Sequence, residues 1–278
     1  MAGYVRLARP LNCGMSAVGV GIAAVVAVGW TGVQGAPWTI LLAMGAATLF
    51  TAGGNALNDY FDRDTDRVNH PDRPIPRGDK SPGEAQRFAA LLFALSLALA
   101  SLVNLVAVGI VVLNFGVMVA YEKAFKARGA SGNALIAYLV GSLFVLGGAA
   151  AYGGDLEALN RTLVLGLLAA LTTAGREVTK DIEDLAGDVD RTTLPRRIGV
   201  RGAGALAAGA FVAGVVLSIV PYVLGILGAV YLGIVLAADT IFILCGAYSA
   251  RNPGRAQRAA KYGMAVALVA FLAGGLLA

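Results

Sequence analysis

Two stretches of this 278-residue chain hold the residue types that could do chemistry. The first, Gly53 to Gly78, reads GGNALNDYFDRDTDRVNHPDRPIPRG and places Asp59, Asp62, Asp64, Asp66 and Asp72 next to Arg63, Arg67, Arg73 and Arg77. The second, TTAGREVTKDIEDLAGDVDRTTLP, carries Glu177, Lys180, Asp181, Asp184 and Asp188. At about 100° per residue, Asn55, Asn58, Asp59, Asp62 and Asp66 fall within about 60° of one line along a helix, whereas Asp64 falls on the opposite side. The same phase returns in the second stretch, where the spacing 55-59-62-66 is repeated as 177-181-184-188. Glu183 and Asp190 point elsewhere, and Gly187 weakens the helical assumption at the end of that stripe.

Carboxylates packed on one helix face repel one another unless a cation sits between them. A hard divalent ion such as Mg²⁺ prefers carboxylate oxygen and usually completes its shell with water and substrate phosphates. Arg offers a planar fork to phosphate oxygens and Lys a compact charge. An acidic stripe beside a basic loop therefore suits a metal ion and a diphosphate. The alternative for any one such cluster is a solvated, topology-setting surface; two clusters in the same phase favour the metal site.

The elements that position these stripes follow from composition. With 58% hydrophobic and 14% charged residues and a mean hydropathy of +0.73, the chain reads as an integral membrane protein. Apolar runs of spanning length recur from about residue 12 to residue 277. Cys13 and Cys245 lie inside such runs as buried thiols, and the single histidine, His70, leaves no nitrogen-and-sulfur set for zinc or haem. Any metal must be held by oxygen. The formal charge of +5 calls for no nucleic acid, because topology accounts for it.

Uncharged runs predict nine all-α spans at about 12–30, 38–57, 85–101, 104–121, 133–152, 162–176, 203–220, 223–248 and 262–277, with two long runs broken near Ser101–Asn104 and at Pro221. If the helices alternate in direction, 21 of the 22 Lys and Arg fall on one side and only Arg161 on the other. By the positive-inside rule that side, with the N-terminus and both acidic stripes, is cytoplasmic. Four helices separate the stripes, which suggests a loose duplication of a four-helix unit. Asp239, a lone carboxylate inside the eighth span, must face a cavity or a partner; it either orients a substrate or hydrogen-bonds a neighbouring helix.

The motif N58-D59-x-x-D62-x-x-x-D66 followed by RPIPRG resembles the first signature of the UbiA-type intramembrane prenyltransferases, and K180-D181-x-x-D184-x-x-x-D188 resembles the second. The basic connection Y121-E-K-A-F-K-A-R-G-A-S-G-N133 also fits, and the wording of both signatures is most similar to archaeal members acting on a glycerol-phosphate lipid. The resemblance covers the whole chain. It implies one domain, 1–278, of nine helices around a central cavity, with connections at about 59–84 and 177–201 forming a cytoplasmic cap. It also implies Mg²⁺-dependent transfer of a geranylgeranyl group from its diphosphate to a lipid acceptor, geranylgeranylglyceryl phosphate.

On that reading Asn58, Asp59, Asp62 and Asp66 bind one metal and Asp181, Asp184 and Asp188 another, the six aspartates being catalytic. Arg63, Arg73, Arg77, Lys123, Lys126 and Lys180 are candidates for phosphate, each equally able to serve as a topology charge. Asn55 binds metal, caps the site or packs a helix; Arg9 contacts the acceptor phosphate or anchors the interface. The partners are the prenyl diphosphate, the lipid acceptor and membrane lipids, with no nucleic acid and no obligate protein partner. Two readings stay open: an aromatic-ring prenyltransferase of quinone synthesis with the same fold, and, more distantly, a cation-coupled transporter.

Overall fold

A computed structural model describes residues 1–186 and 192–277. Helices α1 (Ala2–Ala8), α2 (Pro10–Gly35), α3 (Pro37–Phe61), α4 (Arg63–Asn69), α5 (Pro82–Val103) and α6 (Leu105–Ala120) lead to a π-helical turn, Tyr121–Phe125. They are followed by α7 (Ala130–Ala151), α8 (Leu156–Glu183), α9 (Leu194–Leu217), α10 (Val220–Val223), α11 (Ala229–Tyr248) and α12 (Pro253–Leu276). Among the described residues nine helical segments are long and apolar enough to span a membrane, in agreement with the nine expected.

Local chemistry sets their ends. Proline opens α2, α3, α5, α9 and α12, where its missing N–H falls among the donors that have no intrahelical partner. Ser81 and Glu84 form a reciprocal capping box at the start of α5. Asn104, extended at φ −175°, divides α5 from α6 and caps the latter through the Ala107 N–H, so the long uncharged run breaks where expected.

The break near Pro221 differs. That residue lies in the one-turn α10, and α11 begins only at Ala229, past Gly225 at φ +67°. The sixth span is also longer than its apolar window. Arg161 pairs with Glu157 at 2.5 Å near its start and Arg176 with Glu177 at 2.5 Å near its end, so charged turns extend the helix at both ends.

The long helices pack in a closed ring in the order α2, α3, α5, α6, α7, α8, α9, α11, α12 and back to α2, with α2 also crossing α7 and α8. Between membrane helices, close approach rather than hydrophobicity drives association, and small residues permit it. A Cβ on Gly141 would stand 2.6 Å from the Gly166 carbonyl, and one on Gly147 2.4 Å from the Val20 carbonyl, so α7 meets both α8 and α2 backbone to backbone. Some buried polar groups pair across helices, as Asn114 Nδ2 does with Ser142 Oγ at 2.8 Å. The ring brings the C-terminal ends of α3 and α8 and the turn after α6 to one end of the bundle.

Candidate active site

The first acidic stripe straddles a joint. α3 ends at Phe61, Asp62 takes φ −85° and ψ 2°, and α4 begins at Arg63. Helical register nevertheless crosses the joint, because Asp62 N donates to Asn58 O at 2.9 Å and Asp66 N to Asp62 O at 2.7 Å. Asn58, Asp59, Asp62 and Asp66 thus keep one face, as their spacing requires. Asp59 and Asp66 are only 1% and 3% exposed, and buried carboxylates need counter-charges. Asp59 receives Arg9 in a short hydrogen-bonded pair and has Arg73 at 3.6 Å; Asp66 receives Arg73 at 2.5 Å.

Arg9 reaches Asp59 from an unusual backbone. At φ +54° it is the one non-glycine with positive φ among the described residues, held between α1 and the proline that opens α2. Such conformations persist where the surroundings over-determine them. Asn55, one turn before Asp59, contributes by donating its Nδ2 to the Ala8 carbonyl at 2.8 Å. The structure therefore uses Asn55 to fix the peptide that presents Arg9. α1 is tied down further by Arg6, which donates to the Asp72 carbonyl at 2.6 Å and pairs with Asp79 at 3.3 Å. Arg6, Arg9, Arg73, Asp59 and His70 line a cavity of about 330 Å³ above the stripe.

Lys126 supplies the charge opposite Asp62: its Nζ lies 2.8 Å from Asp62 Oδ2 and 2.8 Å from Glu122 Oε2. Glu122, to which the sequence pattern assigns no role, is buried and accepts from Asn58 Nδ2 at 2.9 Å. A Glu four residues before a Lys in the basic connection was the available signal, obscured by its place at the end of an apolar run.

The second stripe is only partly extended as a helix. α8 stops at Glu183 and Asp184 opens a 3₁₀ turn, exposed to solvent; Asp188 lies outside the described residues. Asp181 accepts from Asn133 Nδ2 at 2.8 Å. The segment from the π-helical turn into the first turn of α7 thereby touches both stripes, through Glu122 and Lys126 on one side and Asn133 on the other. Its Ala127 carbonyl also accepts from Thr192 N at 3.0 Å, and a Cβ on Gly129, at φ +61°, would stand 2.8 Å from Leu194 N.

Of the other expected phosphate ligands, Arg63 turns to the Tyr60 carbonyl at 3.0 Å, Arg77 lies 3.6 Å from Asp79, and Lys123 and Lys180 are exposed.

These donors match a hard divalent cation in kind, being carboxylate and amide oxygens. Among the described residues no three His, Cys, Asp or Glu side chains form a ready metal cage.

Residues 17–273 match the model of the UbiA prenyltransferase family. The chain belongs to this family. A digeranylgeranylglyceryl phosphate synthase of Halobacterium salinarum is 43% identical over 277 residues, covering 99% of this chain and 98% of that protein. A solved structure of a digeranylgeranylglyceryl phosphate synthase superposes with a TM-score of 0.82 at 31% identity, over 100% of this chain and 99% of the other. A UbiA homolog from Archaeoglobus fulgidus bound to DMAPP and Mg²⁺ shares the fold at 17% identity and a TM-score of 0.60, over 95% of this chain and 99% of its own. The UbiA fold accounts for the nine-helix ring, and the protein is a multi-pass membrane prenyltransferase.

Proposed function

We propose that this UbiA-family protein transfers a geranylgeranyl group from its diphosphate to a hydroxyl of geranylgeranylglyceryl phosphate, with Mg²⁺ as cofactor, in archaeal membrane-lipid synthesis. The observation that carries this reading is the alternation of Asp59, Asp62 and Asp66 with Arg9, Arg73 and Lys126 at one end of an apolar bundle. Near-full-length similarity to the Halobacterium enzyme supports the choice of acceptor.

Asn58, Asp59, Asp62 and Asp66 would hold one metal ion, and Asp181, Asp184 and Asp188 another. Mg²⁺, when bound, draws negative charge from the departing diphosphate. Arg73 and Lys126, relieved of the carboxylates they neutralise, turn to phosphate oxygens and add to that stabilisation. The allylic carbon–oxygen bond breaks with its electron pair on diphosphate, the acceptor hydroxyl oxygen bonds to the carbon, and the hydroxyl proton passes to the departing diphosphate. Positioning and electrostatics suffice, with no covalent enzyme intermediate.

The cavity beside Arg6 and Arg9 suits the acceptor's phosphate, and the two isoprenoid chains would lie against the apolar helices. Segments at about 59–84 and 177–201 cap this mouth within one domain, 1–278. The crowding of Lys and Arg at this end argues for a cytoplasmic N-terminus and active site. Purified protein given Mg²⁺, geranylgeranyl diphosphate and the glycerol-phosphate acceptor should release inorganic diphosphate and yield the doubly alkylated lipid. Prenylation of an aromatic acceptor instead would move the protein to quinone synthesis, and substrate flux without diphosphate release would make it a transporter.

A further inference from the structure

Glu122 sits at the start of the π-helical turn, its side chain wholly enclosed, with a partner on each oxygen. Oε1 accepts from Asn58 Nδ2 at 2.9 Å and Oε2 from Lys126 Nζ at 2.8 Å. The turn itself is closed by Lys126 N donating to Tyr121 O at 2.8 Å, an i to i+5 bond of a kind found mostly as single turns at functional sites.

A carboxylate only accepts, so Asn58 must face Glu122 with its NH₂ group. The planar carboxamide then carries Oδ1 on its opposite arm. An amide oxygen is a hard donor suited to a divalent cation, whereas the NH₂ would repel one. Lys126, the second partner, spans Glu122 and Asp62. One buried carboxylate therefore sets the sense of the amide beside Asp59 and the place of the ammonium beside Asp62.

We infer that Glu122 is a positioning residue of the metal–diphosphate site, turning the Asn58 carbonyl oxygen toward the ion and holding Lys126 at Asp62. The inference rests on the functional reading above. It assigns Glu122 no contact with substrate or metal; Glu122 acts through the two residues it holds.

The test uses full-length protein in detergent with Mn²⁺ as a paramagnetic probe, titrated in the presence of geranylgeranyl diphosphate without acceptor. Glu122→Gln keeps the shape but offers an NH₂ of its own, freeing Asn58 to turn over, and should weaken Mn²⁺ binding about tenfold, the lower end for loss of an outer partner of a metal ligand. The paired change Asn58→Asp with Glu122→Gln keeps the net charge and reverses the hydrogen bond, so that an oxygen again faces the ion. It should restore Mn²⁺ affinity to within about threefold of wild type, while Asn58→Asp alone, whose carboxylate is set against that of Glu122, should bind Mn²⁺ no more tightly than wild type, so that the recovery is a coupling that independent sites do not show. A merely structural role would lower the melting temperature without this reversal.

Wild-type affinity in Glu122→Gln, or no recovery in the pair, overturns the inference. Should the single variant fail to fold, the pair still decides, since it retains both charge and hydrogen bond. A wild type that binds Mn²⁺ but releases no diphosphate when acceptor is added sinks the functional reading and leaves the role of Glu122 standing.

Discussion

Arg73 Nη1 donates to Asp66 Oδ2 at 2.5 Å, so the first arginine of the RPIPRG segment folds back seven residues onto the last aspartate of the stripe. The same nitrogen is 3.6 Å from Asp59, which places one guanidinium between two buried carboxylates. A guanidinium can serve two oxygens at once, whereas an ammonium acts as a point charge. Arg73→Ala should lower kcat/KM for the prenyl diphosphate by about 10²-fold, the scale of losing one charge-stabilising donor, with Arg73→Lys recovering part of it. Steady-state kinetics decide: activity within threefold of wild type would mean that Arg73 only neutralises Asp59 and Asp66.

The two acidic stripes should be separately indispensable. Asp62→Ala and Asp184→Ala are expected to lower turnover by more than about 10³-fold, since each would remove one of the proposed oxygen ligands from a site whose proposed catalysis is electrostatic. Neither side chain is packed in the apolar core, so both variants should be extracted as monodisperse protein. Diphosphate release together with size-exclusion profiles provides the check. Near-normal turnover in either variant removes that aspartate from the metal site.

Metal removal should stop turnover without unfolding the protein. Arg9, Arg73 and Lys126 already neutralise Asp59, Asp66 and Asp62. The carboxylates therefore do not need an ion to remain buried. A chelator should abolish activity and leave the melting temperature nearly unchanged. Mg²⁺ and geranylgeranyl diphosphate added together should raise it by more than the sum of their separate effects, because the phosphates take the cations that the metal displaces. A ligand at about 100 times its Kd contributes about 2.7 kcal/mol, enough to resolve in a thermal melt. A full shift with Mg²⁺ alone would contradict this exchange.

Much of this arrangement is written in residue spacing. The phase of Asn58, Asp59, Asp62 and Asp66 was legible because hydrogen bonds from Asp62 and Asp66 keep the helical register through the joint after Phe61. The second stripe was legible only to Glu183, where α8 ends and Asp184 enters a tighter turn; a glycine at 187 was the warning. Partners were harder to read. That Arg9 should reach Asp59 across 50 residues depends on a positive φ and on Asn55 gripping Ala8, neither of which a helical wheel displays. The pairing of Glu122 with Lys126 has a sequence signal in their spacing, but its burial does not: that arises from the approach of the π-helical turn to α3, a tertiary fact with no period in the sequence.

Asp239 offers a contrast, an intramembrane carboxylate that the site does not use. Its Oδ2 lies 2.7 Å from Ser218 Oγ, and Tyr231 OH donates to the Ser218 carbonyl at 2.5 Å, so the end of α9 is tied to α11 at two points. Of the two roles open to it, this geometry favours holding helices over orienting a substrate. Asp239→Asn should keep kcat/KM within about threefold of wild type, whereas Asp239→Leu, which leaves Ser218 without that partner, should destabilise the bundle by about 0.6 kcal/mol, the average for interhelical hydrogen bonds measured in a folded membrane protein. Ser218→Ala should cost a similar amount and add little to Asp239→Leu, because both remove one interaction. A loss of more than tenfold in kcat/KM for Asp239→Asn at an unchanged melting temperature would instead give the carboxylate a part in binding the acceptor.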